Sequence, residues 1–89
     1  MVKAVHVVRT GREIEDLHGN RWQPIVFADC NAIVVEMVGP RRVCIRAFEI
    51  PPIDNAGDKV ALRVGALRDA CVIAKHLETC PDWELAFHV

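Results

Sequence analysis

The chain has 89 residues, of which 52% are hydrophobic and 26% are charged, and its formal net charge at pH 7 is -1. This length and composition predict a single folded domain spanning residues 1–89 and argue against intrinsic disorder. The net charge is too small for the whole molecule to attract nucleic acid or an anionic membrane. Any electrostatic recognition must therefore come from a local patch.

The sequence also bounds the cellular context. No apolar run approaches the roughly 20 residues that a membrane-spanning helix needs, and no secretory signal is recognisable. The four cysteines, Cys30, Cys44, Cys71 and Cys80, include no Cys-x-x-Cys pair. We therefore expect a cytoplasmic protein with no membrane partner and with reduced cysteines.

The first half of the chain predicts one strand, a long loop and then a run of three strands. Residues 2–9 are rich in valine and predict the first strand. Residues 10–21 are polar and carry turn residues, so they predict a loop, in which residues 13–17 could form one helical turn. The three strands that follow from Trp22 are separated by loops at residues 29–31 and 39–41.

The hydrophobic pattern selects a register for these three strands, because cross-strand partners point to the same side of a sheet. Two three-residue loops produce one wholly apolar face, whereas an even-length second loop mixes polar and apolar residues. The predicted apolar face consists of Ile25, Phe27, Ile33, Val35, Met37, Val43, Ile45 and Ala47. The predicted opposite face consists of Val26, Val34, Glu36, Cys44, Arg46 and Phe48. Glu36 and Arg46 are expected to lie close enough to pair.

The second half of the chain predicts a helix and a last strand. A stripe of apolar residues at helical spacing indicates a helix from near Val64 to about Glu78, although residues 60–64 fit a short strand equally well. Alternation over residues 82–89 predicts a terminal strand. The predicted fold class is α+β, with a four- to five-stranded, mainly antiparallel sheet that has a β-meander core. One C-terminal helix packs on one face of this sheet, and the terminal strand completes it.

The sequence contains no constellation that predicts catalysis, a metal site or a cofactor. Serine and tyrosine are absent, which excludes serine-hydrolase chemistry and tyrosine general acids. His76 and Cys80 are four residues apart, but zinc needs four donors, and Cys71 would point away from His76 on a helix. His6 and Cys44 could act as base and nucleophile only if their strands were neighbours. We expect no catalytic residue, no metal and no cofactor.

The apolar residues left on the predicted opposite face favour a protein contact surface. The candidate partner-binding residues are Val26, Val34, Phe48, Arg41, Arg42, Arg46 and Trp22. The expected function is that of a small non-enzymatic protein-interaction module, for which a homodimer is one available form. Such a module would act as an inhibitor or adaptor by steric occlusion of a larger protein assembly. Phage-encoded inhibitors of host defence are one population of this kind, a comparison that depends on size alone.

Two alternatives stay open at this point. A nucleic-acid-binding protein could use Arg41, Arg42 and Arg46 on a hairpin. The slightly negative net charge of the chain and the lack of an aromatic platform for base stacking disfavour this alternative. The other alternative is a small cysteine-dependent enzyme or metal protein. The loop at residues 10–21 matters for the interaction hypothesis, because it would hide the candidate surface if it folded across it.

Overall fold

The computed structural model describes residues 5–87 of the chain. The elements in chain order are β1 (His6–Thr10), β2 (Ile14–Glu15), β3 (Arg21–Ala28), β4 (Ala32–Val38), β5 (Arg42–Glu49), α1 (Ala56–Leu77) and α2 (Trp83–Ala86). The strands pair in the order β1-β3-β4-β5, and β2 pairs with the start of β3. The predicted α+β class is confirmed, with an antiparallel β3-β4-β5 meander and one long helix packed on it. Residues 2–4 of the predicted first strand lie outside the described residues.

β4 shows why the sheet has one buried face. Its residues alternate between buried and half-buried along the strand, as the period of two in a β-strand requires. Ile33, Val35 and Met37 are fully buried and join the core that α1 covers. Val34 points the other way. We call the side of the sheet that faces away from α1 the outer face.

The pairing of β3 with β4 differs from the predicted register by one residue. Phe27 pairs with Val34, whereas the sequence pattern predicted Phe27 opposite Ile33. The cause is the turn, because the Asp29 backbone N–H donates to the Ala32 carbonyl at 3.0 Å and leaves a two-residue tip. The Asp29 carboxylate strengthens this tip by accepting from the backbone N–H groups of Asn31 and Ala32, each at 2.7 Å. A one-residue slip moves every β3 side chain to the other face.

The slip brings two candidate partner-binding residues into the interior. Val26 is fully buried and Trp22 is 1% exposed, so neither forms part of the outer face, contrary to the prediction. Ile25 and Phe27 were predicted to face the helix, and they take outer positions instead.

The second hairpin has the predicted three-residue loop at residues 39–41, but its last strand is irregular. The register of β5 shifts after Cys44, which leaves Ile45 as an extra residue in a β-bulge. Alternation counted from the sequence assumes a regular strand, so it cannot anticipate a bulge of this kind.

The bulge reverses the faces of the residues that follow it. Phe48 pairs with Ile33 and packs against the core, while Arg46 pairs with Val35 and places its guanidinium 5.0 Å from the centre of the Phe48 ring. The predicted outer-face positions of Phe48 and Arg46 are therefore wrong. Ala47, predicted to face the helix, lies on the outer face instead.

Helix α1 begins eight residues earlier than the predicted start near Val64. The side chain of Asn55 caps its first turn by accepting from the Asp58 backbone N–H at 3.1 Å, the role that asparagine commonly has at a helix start. Residues 60–64 are therefore helical, and the strand alternative for them is wrong. Only the second half of the helix is tightly packed, since its buried residues are Ala70, Ala74 and Leu77.

The C-terminal segment forms a short helix where a terminal strand was predicted. The Phe87 backbone N–H donates to the Trp83 carbonyl at 2.9 Å, and the Trp83 ring packs edge-on against Trp22 with 4.8 Å between ring centres. Trp83 and Phe87 are four residues apart, so they suit a helix as well as a strand, and burial of Trp83 favours the helix. Residues 88–89 of the predicted strand lie outside the described residues.

The loop at residues 10–21 folds on the helix side of the sheet. The Gly11 N–H donates to the Pro24 carbonyl at 2.8 Å, and a Cβ on Gly11 would meet both Pro24 and Glu78 of the helix end. Asp16 in the same loop accepts from Trp22 Nε1 at 2.7 Å. This loop leaves the outer face open. Within residues 5–87, neither helix combines the length and hydrophobicity that crossing a bilayer requires.

Candidate interaction surface

The outer face is built from cross-strand rows, in which one residue from each strand stands beside the next. One row is entirely apolar and crosses four strands: Val7, Phe27, Val34 and Ala47. Val7 is 57% exposed, and Phe27 and Val34 at the centre of the row are half-buried. Side chains placed directly opposite one another in this way form a continuous patch. We call it the apolar row.

A second row beside the apolar row mixes polar and apolar side chains. It consists of Thr10, Ile25, Glu36 and Cys44. The apolar row therefore has a partly polar border, an arrangement common in protein interfaces, where apolar centres have polar rims.

One ion pair crosses the outer face. Arg42 contacts Glu36 at 2.7 Å, and its Nε donates to the same carboxylate oxygen at 2.8 Å. The guanidinium also lies 5.1 Å from the centre of the Phe27 ring, within the range of a cation–π contact. The predicted pairing of Glu36 with Arg46 is wrong, because the bulge carries Arg46 to the other side of the sheet. Arg42 is thus held flat across the border of the apolar row.

The three arginines of the second hairpin do not converge on one patch. Arg41 bonds Glu84 of α2 at 3.3 Å and lies over the Trp22 ring on the helix side. Arg42 lies on the outer face, and Arg46 returns to the helix side. A two-stranded β-ribbon that binds nucleic acid needs its arginines on one surface. This distribution of the arginines therefore does not favour nucleic-acid binding by the hairpin.

The structure does not bring the candidate base and nucleophile, His6 and Cys44, together. His6 and Cys44 lie on strands at opposite edges of the main sheet. Burial, helped by its hydrogen bond to Asp82, raises the pKa of the Cys80 thiol, which disfavours the reactive thiolate. Among residues 5–87, no three His, Cys, Asp or Glu side chains form a group that could hold a metal ion.

A second open surface lies on the helix side, next to β5. Helix α1 packs mainly over β3 and β4, so β5 is only partly covered. A groove of about 390 Å³ remains between the end of β5 and the first half of the helix. Its apolar walls include Phe48 and Ile50 on one side and Leu62 and Ala66 on the other. We call this the β5 groove.

Comparison of the chain with protein-family models, curated proteins and solved structures found no match.

Sequence reasoning found part of the candidate surface and missed the rest. Val34 and Arg42 lie on the outer face, whereas Phe27 and Val7 were not identified as members of it. The missed signal is Asp29, because aspartate at the start of a tight turn favours a short tip closed by its own carboxylate. A prediction that used a two-residue tip at this position would have placed Phe27 on the outer face.

Proposed function

We propose that this protein is a non-enzymatic interaction module that binds a protein partner through its outer face. The observation that carries the proposal is the apolar row from Val7 to Ala47, together with the position of both described helices on the opposite side of the sheet. An open apolar strip of this kind gains free energy when a partner removes it from water. Phe27 and Val34, at its centre, are the strongest candidates for the contacts that dominate affinity.

The proposed mode of action is steric occlusion by a rigid surface. The apolar row lies across four hydrogen-bonded strands, so its side chains need little ordering when they bind, and this lowers the entropic cost of association. Arg42 and Glu36 at the border would orient the partner and exclude mismatched surfaces. An inhibitor or adaptor of a larger assembly, acting in the cytoplasm with reduced cysteines, fits this mode.

The proposal is tested with one outer-face variant and one matched control. Val34→Arg places a charge in the centre of the apolar row, while Val72→Arg places the same charge on α1, where Val72 is already 62% exposed. The partner is first captured from the native host with the wild-type protein, and its affinity for each purified variant is then measured by calorimetry. We expect the dissociation constant to rise at least about tenfold for Val34→Arg and to stay unchanged for Val72→Arg.

Circular dichroism is used to check that both variants keep the wild-type fold before binding is compared. Equal affinity of a folded Val34→Arg variant and the wild type would contradict the proposal, because the partner would then bind elsewhere.

A further inference from the structure

β5 is an edge strand of the described sheet, with β4 on one side and no described strand on the other. It is eight residues long and contains neither proline nor lysine, and its charged residues are Arg42, Arg46 and Glu49. Its free backbone N–H and C=O groups can accept another strand. The β5 groove beside it leaves Phe48 and Leu62 only partly covered.

The bulge makes this edge complementary to itself. In a regular strand, Arg42 and Glu49 would point to opposite faces, because seven positions separate them. The extra residue Ile45 shifts the alternation, so that both lie on the outer face, where Arg42 pairs with Val38 and Glu49 pairs with Ala32 of β4. A bulge commonly protects an edge. Here it also brings the side chains at the two ends of β5 to the same face of the sheet.

We infer that β5 pairs antiparallel with β5 of a second copy of this chain. The antiparallel register that aligns all eight residues of both strands pairs each Arg42 with Glu49 and each Val43 with Phe48 of the other copy. Every such pair joins side chains on the same face. Opposite charges therefore meet at both ends of the outer face. On the helix side Val43 meets Phe48, and Ile45 meets Arg46 beside the two-fold axis.

The charges at the two ends are available for this pairing. Glu49 forms no ion pair with any of residues 5–87. Arg42 keeps its contact with Glu36 and can donate to a second carboxylate, since a guanidinium carries five N–H donors. A two-fold axis perpendicular to the sheet relates the copies, so both outer faces lie on one side of a continuous eight-stranded sheet.

This inference goes beyond the proposed function, because it uses the edge of β5, which shares only Arg42 with the partner-binding surface. A strictly monomeric wild type would overturn the pairing while leaving the outer-face proposal intact. If the Val34→Arg variant still self-associates but no longer binds the partner, both the β5 pairing and the outer-face proposal are supported. Sedimentation equilibrium over a range of about 1 to 100 µM gives the mass directly.

A mixed disulfide tests the register. The paired strands place Cys44 of one copy opposite Ala47 of the other, at the 4.5–5.5 Å Cα separation of directly opposed residues, which suits a disulfide. One chain carries Ala47→Cys together with Cys44→Ala, and the other is the wild type with a mass tag. We expect mild oxidation to join the two chains through the thiol at position 47 and Cys44, and reducing agent to separate them.

The matched control replaces the tagged wild type with tagged Cys44→Ala, which should give no more cross-linked product than the remaining cysteines produce. Equal cross-linking in both mixtures, or a dimer that never cross-links through position 47, would overturn the proposed register.

Charge reversal provides an independent test of the same pairing. Arg42→Glu and Glu49→Arg each place like charges opposite one another at both ends of the homodimer, and we expect each variant to self-associate about tenfold more weakly. Mixing the two variants places opposite charges at both ends, so a heterodimer should form with restored affinity. Unchanged self-association of the single variants, or failure of the folded mixture to associate, would overturn the inference.

Discussion

Asp16 is a buried carboxylate that organises the loop before β3. Its Oδ1 accepts from the backbone N–H groups of His18 and Asn20 at 2.8 and 2.9 Å, and its Oδ2 accepts from Trp22 Nε1 at 2.7 Å. Desolvation raises the pKa of Asp16, but the hydrogen bonds from Trp22, Asn20 and His18 outweigh it, so the net pKa lies below the ordinary value of 3.8. These bonds therefore favour the ionised form.

The lowered pKa of Asp16 has a consequence for acid stability. A carboxylate with a lower pKa in the folded state stabilises the fold above its unfolded pKa, and this contribution is lost as the pH falls through the folded value. We expect Asp16→Asn to lower the free energy of unfolding near pH 7, because the amide N–H groups cannot accept from Trp22. The variant should also lose less stability than the wild type between about pH 5 and pH 3.

Urea denaturation at several pH values measures both effects, and Glu15→Gln is the control, since it removes a neighbouring exposed carboxylate outside this network. A pH dependence that is the same in Asp16→Asn and the wild type would contradict the assigned role of Asp16. Apart from Trp22, the residues of this network lie in the segment predicted as loop, where no periodicity indicates which side chains are buried. Their role was therefore not predictable from the sequence pattern.

Among the elements, β4 was predictable and β3 was not, for a physical reason. Glu36 is the only charged residue in β4, and it distinguishes the outer face from the core face. In β3, residues 24–28 are all apolar or proline, so the hydrophobic pattern does not show which face is buried. The turn geometry set by Asp29 determines which β3 side chains face the core. The start of α1 was ambiguous for the same reason, because the apolar residues at 60–64 suit a helix and a strand equally well.

The helical conformation around Gly65 is tested by a pair of glycine substitutions. Gly65 lies in the middle of the helix, and a Cβ there would meet nothing within 4 Å. Gly65→Ala should therefore raise the free energy of unfolding by about 0.5–1 kcal/mol, because alanine loses less backbone entropy in a helix. Thermal or urea denaturation measures the change.

The matched control is Gly39→Ala in the second hairpin. A Cβ on Gly39 would lie 2.5 Å from the carbonyl oxygen of Arg21 and 2.9 Å from the Trp22 ring, so we expect this variant to be destabilised. Opposite signs for the two substitutions would support both the helical conformation at Gly65 and the close approach at Gly39. A destabilising Gly65→Ala would show that the first half of α1 is not a regular exposed helix.

At the scale of the whole molecule, the two open surfaces have one geometric origin. A sheet of four main strands is wider than the single helix that packs on it, because strands lie about 4.8 Å apart and a helix is about 10 Å across. Helix α1 covers β3 and β4 and leaves β5 partly exposed, while neither helix of residues 5–87 packs on the outer face. Pairing through β5 would join two outer faces side by side, and a partner with two matching sites would then gain avidity.

Self-pairing through β5 makes a thermodynamic prediction for the whole molecule. When unfolding separates a dimer, the melting temperature rises with protein concentration, because mass action favours the associated state. For a chain of 89 residues, each tenfold increase in concentration above the dissociation constant should raise the melting temperature by about 3–4 °C. Scanning calorimetry at several concentrations measures this slope. Glu49→Arg should show a smaller slope at the same concentrations, since its homodimer places like charges opposite one another at both ends of the strand pair. A wild-type melting temperature independent of concentration would contradict pairing through β5.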